Sequence, residues 1–165
     1  MSALIAGVLL PSEAGRPLEA VTFQADDLSF LRQTVGGDVQ TVDLLRPAAA
    51  LYVREDADRL GAPVNRRATL LRRAANPGRR GEYICGDAIL VGPSEENGRI
   101  TSVPADYSDV LLAENSRFRV EFQPPEGGRH LPLPWPIWPE VFLAYAEGLR
   151  IGRALPRQAV RVIPA

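Results

Sequence analysis

Turn chemistry recurs along this chain at intervals too short for any long element. Residues 11–17 hold Ser12, Gly15 and two prolines. Gly36-Gly37, Arg46-Pro47, residues 61–65 and Asn76-Pro77-Gly78 punctuate the next stretch, and residues 92–98 form a polar loop. Between these breaks the apolar spacing switches between two and about 3.6 residues, which predicts short strands alternating with helices.

Residues 4–9 are an apolar run interrupted by Gly7, read as a buried strand, and residues 18–23 alternate as its hairpin partner. Asp26 or Asp27 caps a helix on which Leu28, Leu31 and Val35 share a face, and Gly36-Gly37 closes it where a glycine is expected. Strands over 39–44 and 49–53 follow. A helix over 66–75 is capped by Asn65 and stopped by Asn76-Pro77-Gly78. A strand over 83–91, broken by Gly86, and a short helix over 105–113 opened by Pro104 complete this part.

From residue 115 the texture changes. Phe118, Val120 and Phe122 alternate with Arg117, Arg119 and Glu121, the pattern of a half-buried strand. Residues 123–140 then carry six of the 15 prolines and read as an irregular connection. Helical spacing resumes over 141–153, and 159–163 form a short terminal strand or tail. The expectation is an α+β protein: one mixed, largely antiparallel sheet with two or three helices over residues 1–114. A Pro/Trp-rich extension over 115–165, ending in a helix, packs on that core and is not an independently folding domain.

Composition bounds the chemistry. At 165 residues, roughly two-thirds of the unfolded surface can be buried, enough for one core. One Cys and one His exclude a disulfide framework and a Cys/His-rich zinc site. All 19 basic residues are Arg, so no Schiff-base lysine and no P-loop lysine exists. The net charge of −1 gives no global pull toward nucleic acid or anionic membrane. The first ten residues lack a basic leader, and no apolar run reaches the roughly 18 residues of a membrane helix. A cytoplasmic protein with Cys85 reduced and no membrane contact is expected.

Charge is nevertheless concentrated locally. Residues 60–80 hold Arg66, Arg67, Arg72, Arg73, Arg79 and Arg80 and no acid, a net of +6, whereas residues 81–114 carry a net of −6. On a helix over 66–75, Leu70, Leu71, Ala74 and Ala75 share one arc and Arg66, Thr69, Arg72 and Arg73 the opposite one. Arg67 falls among the apolar residues and must snorkel outward or meet an internal acid. Such a face can hold phosphates or an acidic protein surface. It can equally pair with the chain's own acids at 55–58 or 81–114, and that second assignment carries more weight because the total charge cancels.

Other candidates are weaker. His130 has no recognisable partner for general-base work, and Cys85 has no adjacent activator. Asp26-Asp27 and Glu55-Asp56-Asp58 lack calcium-loop spacing and read as a cap and a hairpin tip. Gly36-Gly37 ends a helix instead of opening one, unlike a dinucleotide fingerprint. Trp135 and Trp138, set among Pro132, Pro134, Pro136 and Pro139, either fold back over a sheet edge or face or anchor a protein partner.

Four ordered stretches carry a family resemblance: Val35-Gly36-Gly37-Asp38-Val39-Gln40-Thr41-Val42, Leu51-Tyr52-Val53-Arg54-Glu55-Asp56, Asn65-Arg66-Arg67-Ala68-Thr69 and Gly86-Asp87-Ala88-Ile89-Leu90-Val91-Gly92. Over roughly residues 4–113 the chain resembles an uncharacterised small domain family of phages, plasmids and other mobile elements, notably of actinobacteria. The resemblance implies a mobile-element origin and a small α+β fold, and it implies no reaction and no catalytic residue. The expected function is a non-enzymatic accessory protein that binds another protein or itself, without cofactor or metal. Its binding candidates are Arg66, Arg67, Arg72, Arg73, Arg79, Arg80, Trp135 and Trp138. The rivals are nucleic-acid binding through the Arg-rich helix and an enzyme using Asp87 or His130.

Overall fold

A computed structural model describes residues 2–114, 117–129, 131–132 and 136–165. In chain order the elements are β1 (Leu4–Leu10), β2 (Glu19–Gln24), α1 (Leu28–Val35), β3 (Val39–Leu45), β4 (Ala48–Arg54), α2 (Arg66–Ala75) and β5 (Ala88–Val91). They continue with α3 (Ala105–Leu111), β6 (Phe118–Gln123), β7 (Leu131–Pro132), α4 (Val141–Ile151) and β8 (Ala159–Pro164). The fold is α+β, as expected from the spacing.

The main sheet has the order β2-β1-β5-β4-β3, and each neighbouring pair is antiparallel. No parallel pair makes it mixed. β5 sits at the centre with only four residues, because the chain before it turns at Gly86 and keeps only a single bridge, Val64 to Cys85. The sheet's period-2 alternation gives it two apolar faces. Val8, Leu10, Val42, Leu44, Leu51, Val53 and Leu90 point toward α2, while Ile5, Leu9, Phe23, Tyr52, Ile89 and Val91 point toward Leu31 of α1. Phe23 stacks on Phe30 with ring centroids 4.9 Å apart. Each such large side chain contributes about 1.5–3 kcal/mol by leaving water.

The extension builds a second sheet, β7-β6-β8, covered by α4. It ends in β8 and not in a helix, because Val160 and Val162 alternate into the core beside Val120 and Phe122. Gly148 permits this packing: a Cβ there would lie 2.6 Å from Val160 Cγ1 and 3.0 Å from Val120 Cγ1. Trp138 exchanges two 2.9 Å backbone hydrogen bonds with Phe118 and is buried. One apolar cluster runs across residue 115 from Val8 and Leu71 to Phe122 and Tyr145. α2 therefore lies between the main sheet and the extension, in contact with β3 on one side and with α4 and β8 on the other.

That sandwiching corrects the helical-wheel assignment for α2. Thr69, placed on the outer arc, is buried, and its hydroxyl accepts the Ile84 amide at 2.9 Å. A helix with neighbours on two sides buries a wider arc than a helix lying on one sheet.

Candidate functional site

The arginine-rich segment is the natural starting point, and most of it is engaged within the chain. Glu82 is the hub. Its carboxylate pairs with Arg72 at 2.5 Å and with Arg79 at 2.9 Å, and its carbonyl accepts from Arg73 Nε at 2.9 Å. Arg80, half-buried, donates to the carbonyls of Gly152 at 2.9 Å and Gln158 at 2.5 Å, tying the end of α4 to the main domain. Burial holds the Arg80 pKa below its usual value. Arg67 donates to the carbonyls of Pro11 and Glu13 at 2.7 and 3.0 Å, so it meets loop carbonyls and not an internal carboxylate. Desolvation lowers its pKa, opposed by the nearby Glu140. Arg66, on the exposed first turn, alone of the six has no such acceptor among the described residues.

The other sequence candidates fall in different places. Trp138 belongs to the core and presents no free indole face for a partner. Trp135 and His130 lie outside the described residues. Cys85 is half-buried beside the Asp58 charge, and both desolvation and that carboxylate raise its thiol pKa, the opposite of nucleophile activation. Among the described residues no three His, Cys, Asp or Glu side chains gather as a metal-binding group, and no helix is long and apolar enough to cross a membrane.

Asn65 and Asp87 turn out to be architectural. Asn65 is fully buried; its Oδ1 caps α2 by accepting the Ala68 amide at 3.0 Å, while its Nδ2 donates to Leu10 and Gly86 carbonyls at 2.8 and 2.9 Å. Asp87 accepts from the Ser12 amide at 2.8 Å and hydroxyl at 3.1 Å, pinning the turn after β1. The Asn65 side chain thus uses both of its N–H donors and its capping oxygen within the fold.

What the fold does assemble is a cleft of about 410 Å³ at the β3–β4 end of the sheet. Gln40 and Val42 come from β3, Val53 and Arg54 from β4, Glu55 and Asp58 from the turn after it, Arg72 from α2, and residues 81–85 close the far wall. Arg54 is fixed by Asp56, Nε to Oδ1 at 2.6 Å, and that bond holds the Asp56 carboxyl below its ordinary range. The guanidinium lies over Gly37, where a Cβ would sit 2.7 Å from Arg54 Nε, and Gly36 ends α1 at φ +88°. The Gly36-Gly37 pair thus serves two separate needs, a left-handed cap and a surface for Arg54. Sequence reasoning offered the acids of 81–114 as partners for the arginines without singling out Glu82, and it missed this cleft. Its only local signal was that two of the four recognisable stretches, around Gln40 and around Arg54, supply adjacent strands.

A family profile described as a domain of unknown function, DUF3846, matches residues 7–114, about two-thirds of the chain. The chain belongs to the DUF3846 family. No curated protein and no solved structure matches it. The DUF3846 match begins within β1, takes in β2 through α3 with both strands that line the cleft, and stops short of β6.

Proposed function

We propose that this DUF3846 protein is a non-enzymatic accessory protein that acts by binding another protein. The observation that carries this reading is the surface around the cleft. Val64 and Tyr83 are 52% and 59% exposed; Val64 bridges Cys85 from the neighbouring segment, and Tyr83, two residues before Cys85, lines the cleft beside Glu82 and Arg72. Exposed apolar side chains within a polar rim are the ordinary composition of a protein-binding surface. Cys85 on this surface has its thiol pKa raised by desolvation and by the Asp58 charge. The mobile-element setting rests on the motif resemblance alone.

Nucleic-acid binding has no comparable support. It needs free guanidinium groups aimed at phosphates, and Arg72, Arg79 and Arg80 already have acceptors within the chain. The experiment is size-exclusion chromatography of the purified protein with candidates captured from host lysate and then purified. The expected result is a defined complex with one of them and no retention of DNA or RNA even at low ionic strength. A strictly monomeric protein that forms no such complex, or one whose nucleic-acid affinity falls steeply with salt, would reject the reading.

A further inference from the structure

β3 is one of the two edge strands of the main sheet, and the direction of each of its backbone groups is fixed by its hydrogen bonds. The Asp38 carbonyl accepts the Glu55 amide at 2.9 Å, so the even-numbered residues face β4. The odd-numbered ones face outward: the Leu45 amide donates to Asn76 Oδ1 at 3.0 Å, and the Asp43 carbonyl accepts from Asn76 Nδ2 at 2.9 Å. Asn76, buried after α2, thus imitates a neighbouring strand for one end of this edge. The amides and carbonyls of Val39 and Thr41 and the amide of Asp43 continue the same row with no partner among the described residues. No proline, lysine or arginine interrupts this stretch, so the devices that usually blunt an edge strand are confined to Asp43 and Asn76.

The edge is flanked by a depression on each face of the sheet. Gln40 and Val42 belong to the 410 Å³ cleft, whereas Val39 and Thr41 line a shallower hollow of about 770 Å³ floored by Tyr52 on the opposite face. Because side chains alternate along a strand, a segment laid against β3 sends successive residues into the two depressions. The charges decide what kind of segment fits. In the cleft Arg54 is paired with Asp56, and Arg72 shares Glu82 with Arg79, whereas Glu55 and Asp58, with Asp43 on the strand itself, have no cationic partner among the described residues. We propose that the free edge of β3 binds an extended segment of a partner protein by strand addition, with Arg or Lys at the alternate positions that face Glu55 and Asp58 and apolar residues at the positions that face Tyr52. This rests on the protein-binding reading and gives it a location.

A capped heptapeptide of alternating Arg and Val, with its Glu/Val counterpart as control, probes the edge by fluorescence anisotropy. The Arg/Val peptide is expected to bind and the Glu/Val peptide not. Thr41→Pro removes an outward-facing amide and leaves the β3–β4 bonds in place. It is expected to weaken binding at least tenfold with little change in thermal unfolding, and the E55Q/D58N double variant several-fold. If Thr41→Pro does not fold, hydrogen exchange on the native chain reads the same contact, with peptide slowing the amides of Val39, Thr41 and Asp43. Equal binding of both peptides, protection elsewhere, or a homodimer that hides β3 overturns the proposal. A protein partner that still binds the Thr41→Pro chain sinks the edge but keeps the protein-binding reading, whereas a chain that binds no protein at all sinks both.

Discussion

Asn65 shows how one side chain in this fold does the work of several. It caps α2, and its amide joins two carbonyls from separate segments, Leu10 at the end of β1 and Gly86 before β5. Asn65→Ala removes the cap and strands two buried carbonyls, and about 3 kcal/mol is expected from a cap near 1 and the unpaired acceptors. Asn65→Asp keeps the capping oxygen but loses the donors and buries a charge, so it is expected to be at least as destabilising. Urea unfolding of both variants checks this; an Asp variant near native stability would show that the cap alone matters. Cys85 gives a second prediction. Its thiol pKa is raised in the folded chain, so the stability it supports is complete below the ordinary thiol range and is lost as pH rises through the folded value. Alkylation of the native protein is expected to be slower than that of free cysteine at mildly alkaline pH, and Cys85→Ala is expected to flatten the alkaline loss of stability. Faster alkylation than the free thiol would mean an activated nucleophile and would reopen the enzymatic reading.

At the scale of elements, the close seat of α4 on the second sheet depends on Gly148. Its position leaves no room for a methyl group between Val120 and Val160, and both of those residues sit in β strands that cannot shift without losing register. Gly148→Ala is expected to cost about 1–3 kcal/mol through overpacking, in spite of the better helix propensity of alanine. Thermal unfolding measures it, and a stabilised variant would mean that α4 moves freely. α2 shows the opposite economy of contacts. Six of its ten residues are buried because it has a sheet on one side and a second layer on the other. The helix could be placed from Asn65 and from Asn76-Pro77-Gly78, since caps and breakers act locally. Its second buried side could not, because the residues that cover it lie more than 60 positions away.

The molecule as a whole is a family domain with a second layer built onto it. The Arg80 guanidinium on carbonyls of residues 152 and 158, the ion pair of Arg161 with Asp106, and the shared apolar cluster join the two parts. A chain cut after residue 114 is expected to expose the outer face of α2, to bind a hydrophobic dye and to unfold at markedly lower urea than the full chain. A truncated protein as stable and as soluble as the full chain would show that the second layer is dispensable.

What the sequence determined by itself was local. Apolar period, caps and turn formers placed β1 to β4, α1, α2 and β6 close to their observed limits, because those signals act between neighbours a few residues apart. Only the tertiary structure decided where the charge went. Whether six arginines form a free cationic face depends on which acceptors the fold brings to them: Glu82 is close in sequence, but the 152–158 carbonyls and the turn after β1 reach Arg80 and Arg67 only through long-range packing. The same holds for the open edge of β3: strand order, which sets what remains unpaired, is a property of the assembled sheet and not of any one segment.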